Sequence, residues 1–111
     1  MSEPILSVVF YRTEARSEPV REWLRELTVE DRKAIGIDIK TVQYGWPLGM
    51  PLVRKMEPGL WEVRCDIADG IARVLFTAKG GQMVLLHGFV KKTQKTPDND
   101  LKTARNRLKN L

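Results

Sequence analysis

One cysteine and one histidine are all that this 111-residue chain has of the side chains that most often ligate metals or act as nucleophiles. A single cysteine, Cys65, excludes an intrachain disulfide, and with no second cysteine or neighbouring histidine it has no metal-site spacing. It alternates with Trp61, Val63 and Ile67 in LWEVRCDI and reads as a small core residue. The carboxylates are scattered without ligand spacing, which disfavours metal-dependent cleavage. A Gly-rich phosphate loop, a GxSxG elbow and a zinc pattern are all missing. No apolar run approaches a membrane span. The start, MSEPILSVV, has neither the basic region nor the apolar run of a signal peptide, so the cytoplasm is the expected compartment. Neither repeats nor low-complexity segments interrupt the chain, and its length suits one domain over residues 1–111 with a modest core.

What is present divides by periodicity. Ile5 to Arg12, rich in β-branched and aromatic residues, predicts a first strand. Ser17 is placed as an N-cap, with Glu18 and Pro19 behind it. Val20, Trp23, Leu24 and Leu27 then recur on one helical face. Thr28 with Asp31 resembles a capping box opening a second helix, whose stripe is Ile35, Ile39 and Val42. Gly36 in that helix is expected to permit close packing against the first, the two forming a hairpin. Three strands are expected next: Leu60 to Ile67, Ile71 to Ala78 and Gln82 to Val90, joined by turns at Asp69-Gly70 and Gly80-Gly81. A helix from about Pro97 closes the chain. This is an α+β layout of strand, helical hairpin, antiparallel meander and terminal helix, with one sheet face covered and part of the other open. Trp23, Leu27, Trp61, Val63 and Val74 are the expected core.

Charge is distributed unevenly. From Gly88 onward there are seven Lys or Arg against two Asp, whereas residues 1–87 carry twelve of each sign. The whole net charge of +5 therefore lies in the last 24 residues, beginning inside an apolar strand, where a mere solubilising tail has no reason to start. Such a block attracts a polyanion, most commonly RNA or DNA. Its members include Lys91, Lys92, Lys95, Lys102 and Arg105, with His87 and Gly88 at its start, the latter a strand glycine of the kind that marks a close backbone approach. Arg64 alternates away from the core, beside Glu62 and Asp66, and Arg73 interrupts the apolar strand IARVLFTA. The alternative role for Arg73 is an ion pair with Glu62 or Asp66. Together these cations suit phosphodiester chemistry, in which a base takes the 2′-OH proton, cations stabilise the phosphorane and an acid protonates the 5′-oxygen. Arginine matches phosphate oxygens bidentately, a lysine crowded by cations becomes a usable base, and His87 is the one side chain whose unperturbed pKa is near neutrality.

GLWEVRCD, IARVLFTA and LLHGFVKKTQKTPDNDLKTARNR, following a helical hairpin in that order, resemble the phage-derived, HigB-like branch of the RelE/ParE toxin superfamily. The resemblance covers nearly the whole chain, including PLGMPLVRKMEPGLWEVR, and its most specific part is the GF-KK-QKTP element. It implies the toxin of a type II toxin–antitoxin system, an endoribonuclease that stops translation by cutting mRNA at the ribosome. It also implies a helix-turn-helix antitoxin as partner and no cofactor. By position it places Arg64, Arg73 and Lys91 or Lys92 in a basic cluster on the open sheet face. RelE has a tyrosine soon after the last of these, which this chain lacks, so Lys91, Lys95 and His87 remain candidates for the base. Lys95, Lys102 and Arg105 are expected to grip RNA or the ribosome. The same superfamily holds ParE-type gyrase inhibitors, and a non-catalytic RNA-binding module would use the same cations.

Overall fold

The computed structural model describes residues 3–111. Its elements run β1 (Ser7–Phe10), α1 (Pro19–Glu26), α2 (Val29–Gly45), β2 (Val53–Glu57), β3 (Leu60–Ile67), β4 (Gly70–Lys79), β5 (Gln82–Lys91) and α3 (Asp98–Lys109). The five strands form one sheet in the order β1-β5-β4-β3-β2. The expected α+β order of strand, two helices, antiparallel strands and terminal helix is present.

The meander has four strands rather than three, because Val53–Glu57 pairs antiparallel with β3. The turn between them is Pro58-Gly59, with Gly59 at φ 80°, as a proline-then-glycine turn requires. β1 pairs in parallel with β5, from Ser7 beside Gln82 to Phe10 beside Leu85. The helical pair therefore carries the chain from one edge of the sheet to the other. α1 packs on β5 and β1, and α2 on β3. Two expected details fall differently. Ser17 bonds to Thr13 within a turn, and Glu18 takes the N-cap position of α1, its backbone N–H donating to the Glu22 carboxylate at 3.0 Å. Gly36 faces solvent with open space around it and mediates no helix contact. The Thr28 hydroxyl does cap α2, accepting from the Asp31 N–H at 3.1 Å.

Both sheet faces are covered along much of their length. Beneath α1 and α2 lies a core of Val20, Ile35, Ile39, Val42, Val63, Cys65, Val74, Phe76 and Leu85. Trp23, Leu27 and Trp61 pack against it half-exposed. Trp61 meets Trp46 edge-on at 5.0 Å between ring centroids, and both rings contact Phe76. On the other face α3 covers a second core of Tyr11, Leu60, Leu75, Val84, Leu86 and Phe89 through Leu101, Ala104 and Leu108. The face expected to stay largely open is thus occupied by the terminal helix, whose apolar side is narrow but sufficient. The exposed end of that face carries Arg64 and Asp66 of β3.

Candidate active site

Alternation along β3 puts Leu60, Glu62, Arg64 and Asp66 on the α3 side of the sheet. On β4 the same side carries Arg73 and Leu75, and the register sets Arg64 directly opposite Arg73. Like charges facing each other across two strands destabilise a sheet unless something offsets their repulsion. Here the offset comes from Lys92–Thr96, the segment joining β5 to α3, which lies across both arginines. Arg73 Nη2 donates to the Thr93 carbonyl, and Arg64 Nη2 donates to Gln94 Oε1 at 2.5 Å. The Thr96 hydroxyl donates to Glu62 Oε2. Three residues of one strap thus bind three charged side chains of the sheet.

Arg73 and Glu62 are each fully buried, at 0 % exposure, which corrects the expectation that Arg73 stands on an open face and that Glu62 points to solvent. They form no ion pair within 4 Å, although the Glu62 charge acts on Arg73. Burial lowers the Arg73 pKa from its ordinary value, Glu62 opposes that, and Arg64 and Arg54 reinforce it. Arg73 Nε and Nη1 and Glu62 Oε1 have no hydrogen-bond partner. Such orphaned buried groups are uncommon and costly, and they lie directly under the strap. Phe89 supports the guanidinium from below, its ring centroid 5.9 Å from Arg73 Cζ.

His87 reaches the same face because a bulge at Leu86 shifts the β4–β5 register between Leu75 and Phe76. Its Nε2 lies 2.6 Å from Asp100 Oδ1 of α3, and Arg107 Nη1 lies 3.4 Å from its Nδ1. Arg107 can only donate, so Nδ1 is the acceptor and Nε2 carries the proton toward Asp100. Both ring nitrogens are engaged in holding α3 to β5. Gly88 also has a local explanation, since a Cβ there would lie 2.3 Å from the Trp23 ring of α1. The close approach anticipated at this glycine is made by a tryptophan.

Lys91, Lys92 and Lys95 are exposed at the root of the strap and along it, at the Arg64–Arg73 end of the sheet. Lys102 is exposed on α3. Arg105 lies on the same helix but is committed to Glu57, donating from Nε to both carboxylate oxygens at 2.9 and 3.0 Å. Of the eight residues singled out from sequence, Arg64, Arg73, Lys91, Lys92 and Lys95 gather at one end. Lys102 and Arg105 lie on α3, and His87 of β5 faces that helix through Asp100. Glu62, Thr93, Gln94 and Thr96 were not among them. Glu62 was legible as the residue two before Arg64 on the same face, whereas the strap carries no periodicity that would reveal its path. Cys65 is buried, and burial with the nearby Asp38 pushes its thiol pKa far up, so it stays protonated.

Residues 22–109 match the model of the family Phage derived protein Gp49-like (DUF891), which leaves out residues 1–21, with β1 and the start of α1, and the last two residues. The chain belongs to that family. Gp49-like proteins are a RelE/toxin-like family associated with the toxins of toxin–antitoxin systems, which makes an antitoxin the expected partner. Among curated proteins nothing matches. None of the described helices is long and apolar enough to cross a membrane.

Proposed function

We propose that this Gp49-like protein is a HigB-like toxin that cuts mRNA at the ribosome without a metal, in the cytoplasm, and is held in check by a helix-turn-helix antitoxin. One observation carries the reading. Two guanidiniums on adjacent strands each hold a single neutral oxygen of the strap, the Thr93 carbonyl and Gln94 Oε1. Two acceptor oxygens presented to a pair of arginines is the arrangement a phosphodiester offers, with charge added. In this reading the substrate phosphate displaces both strap oxygens and engages Arg64 and the unpartnered donors of Arg73. The gain is a charge-assisted contact at a site where buried donors are unsatisfied. Lys91, Lys92 and Lys95 raise the local positive potential around the bound strand. The 2′-OH proton passes to Lys91, Lys95 or His87. The three differ in access: Lys91 and Lys95 are exposed, whereas both His87 nitrogens are taken by Asp100 and Arg107.

Growth arrest on expression, 5′-end mapping of mRNA in a translating extract and gyrase supercoiling test this together. The expected result is cleavage within translated message, with supercoiling untouched. Arg64→Ala, which alters a half-exposed residue, should stay folded and lose about 100-fold or more in cleavage rate, the usual loss for one preorganised donor on a developing oxyanion. Intact message with failed supercoiling would assign the chain to the gyrase poisons. Intact message with RNA still bound would make it a binding module.

A further inference from the structure

Beyond Val53 the edge of β3 is no longer covered by β2, and the sheet end that α3 does not reach opens into a cleft of about 220 Å³. Its lining is Met50, Pro51, Arg64, Asp66, Ile71 and Gln94. Two walls are apolar: the Met50-Pro51 turn, with Met50 58 % exposed, and Ile71 of β4, the register partner of Asp66. Asp66 is exposed at the edge of this space and, among the described residues, makes no ion pair, although Arg64 lies two residues away on the same face. Arg64 instead turns to Gln94. The cleft therefore combines apolar side chains on two walls, one unpaired carboxylate, and an entrance formed by the guanidinium assigned above to phosphate.

We infer that this cleft is a nucleobase subsite that selects bases bearing an exocyclic amino group. The inference rests on the nuclease reading for its phosphate at Arg64, and adds which base of the message sits beside that phosphate. Arg64 and Asp66 are separated by two strand positions, about 7 Å, a span that one nucleotide bridges from phosphate to base. Met50, Pro51 and Ile71 supply apolar contacts for the face of a base. Asp66, an acceptor only when ionised, takes a hydrogen bond from the amino group of adenine, cytosine or guanine. Uracil turns carbonyl oxygens to the same position on both sides of its one N–H, so its lone pairs face the carboxylate. Gln94, with both donor and acceptor atoms, closes the cleft and is released from Arg64 when phosphate binds.

Two measurements on the full-length protein test this. The first is 5′-end mapping across a translated message with wild type and Asp66→Asn. The second is binding of short, uncleavable 2′-O-methyl RNAs that differ only in the base next to the central phosphate. Wild type should cut beside, and bind, amino-bearing bases in preference to uracil by about tenfold. Asp66→Asn, whose amide can both donate and accept, should erase that preference in both measurements, and Asp66→Glu should restore part of it. A folded Asp66→Asn that keeps the wild-type base profile overturns the subsite and leaves the nuclease reading intact. So does a folded Asp66→Asn that cuts nothing, because it would move Asp66 into the chemistry. Wild type that cuts no message yet still discriminates among the RNAs overturns the nuclease reading alone. Wild type that cuts without discriminating overturns the inference alone.

Discussion

A single atom separates tolerance from disruption at Gly88. Its Cα faces the six-membered ring of Trp23, and an added Cβ would lie 2.3 Å from Cε3 and 2.4 Å from Cζ3. The ring packs against the core on one side, so either it or α1 would have to shift away from β5. Gly88→Ala is expected to destabilise the fold by about 1–3 kcal/mol, the usual cost of overpacking, as read by urea unfolding. Trp23→Leu in the same background should recover part of the loss by vacating the space. Unchanged stability in Gly88→Ala would show that the ring has room to move. Arg73 illustrates the converse. Being buried beside Glu62, it is a poor residue for separating catalysis from folding, because its removal leaves that carboxylate without a balancing charge. The half-exposed Arg64 carries no such complication.

The terminal helix owes its place to two polar clamps as much as to its narrow apolar side. One is Arg105 on Glu57 of β2, and the other is Asp100 on His87 of β5. The Arg105 guanidinium holds the Glu57 carboxyl below its ordinary pKa, chiefly by hydrogen bonding. A carboxylate with a lowered folded-state pKa contributes its stability above its unfolded value and loses it as pH falls through the folded one. Thermal unfolding followed downward from neutral pH should therefore show a loss below the ordinary glutamate range that Arg105→Gln removes. Identical acid profiles for the two proteins would leave the clamp without a role. Neither clamp was readable in the sequence, since each joins residues from distant elements across a face expected to be open. The elements themselves were legible where periodicity was strong: Leu60–Ile67 alternates, α2 keeps its stripe, and Gly80-Gly81, at φ 58° and 76°, is the tight turn their identity implied. β2 was missed because Arg54 and Lys55 are exposed, charged edge residues, which conceal a strand with one buried anchor, Val53. The Pro58-Gly59 turn was the available clue. Among site residues, Arg64 and Arg73 on their strands and the lysines of the strap could be found from sequence, whereas Thr93, Gln94 and Thr96, whose roles depend on the path of the strap, could not.

Over the whole molecule, the surplus charge of the last 24 residues does not act as one block. Arg105 is already neutralised by Glu57, whereas Lys92 and Lys95 stand free on the strap. Binding of single-stranded RNA should weaken with salt, with a log–log slope that shrinks by about 0.7 for each phosphate-neutralising lysine removed. Lys92→Gln with Lys95→Gln should accordingly flatten the slope by about 1.4. Arg105→Gln should change it far less, and an equal change would mean that the Glu57 pair opens on binding. The parallel pairing of β1 with β5 has a consequence for synthesis. Residues 7–10 emerge from the ribosome before the other described strands and find their strand partner at residues 82–85, after three intervening strands and two helices have been made. Contacts so distant along the chain form late. A nascent chain therefore cannot close its sheet, or bring the strap across Arg64 and Arg73, until β5 and the segment after it have been made.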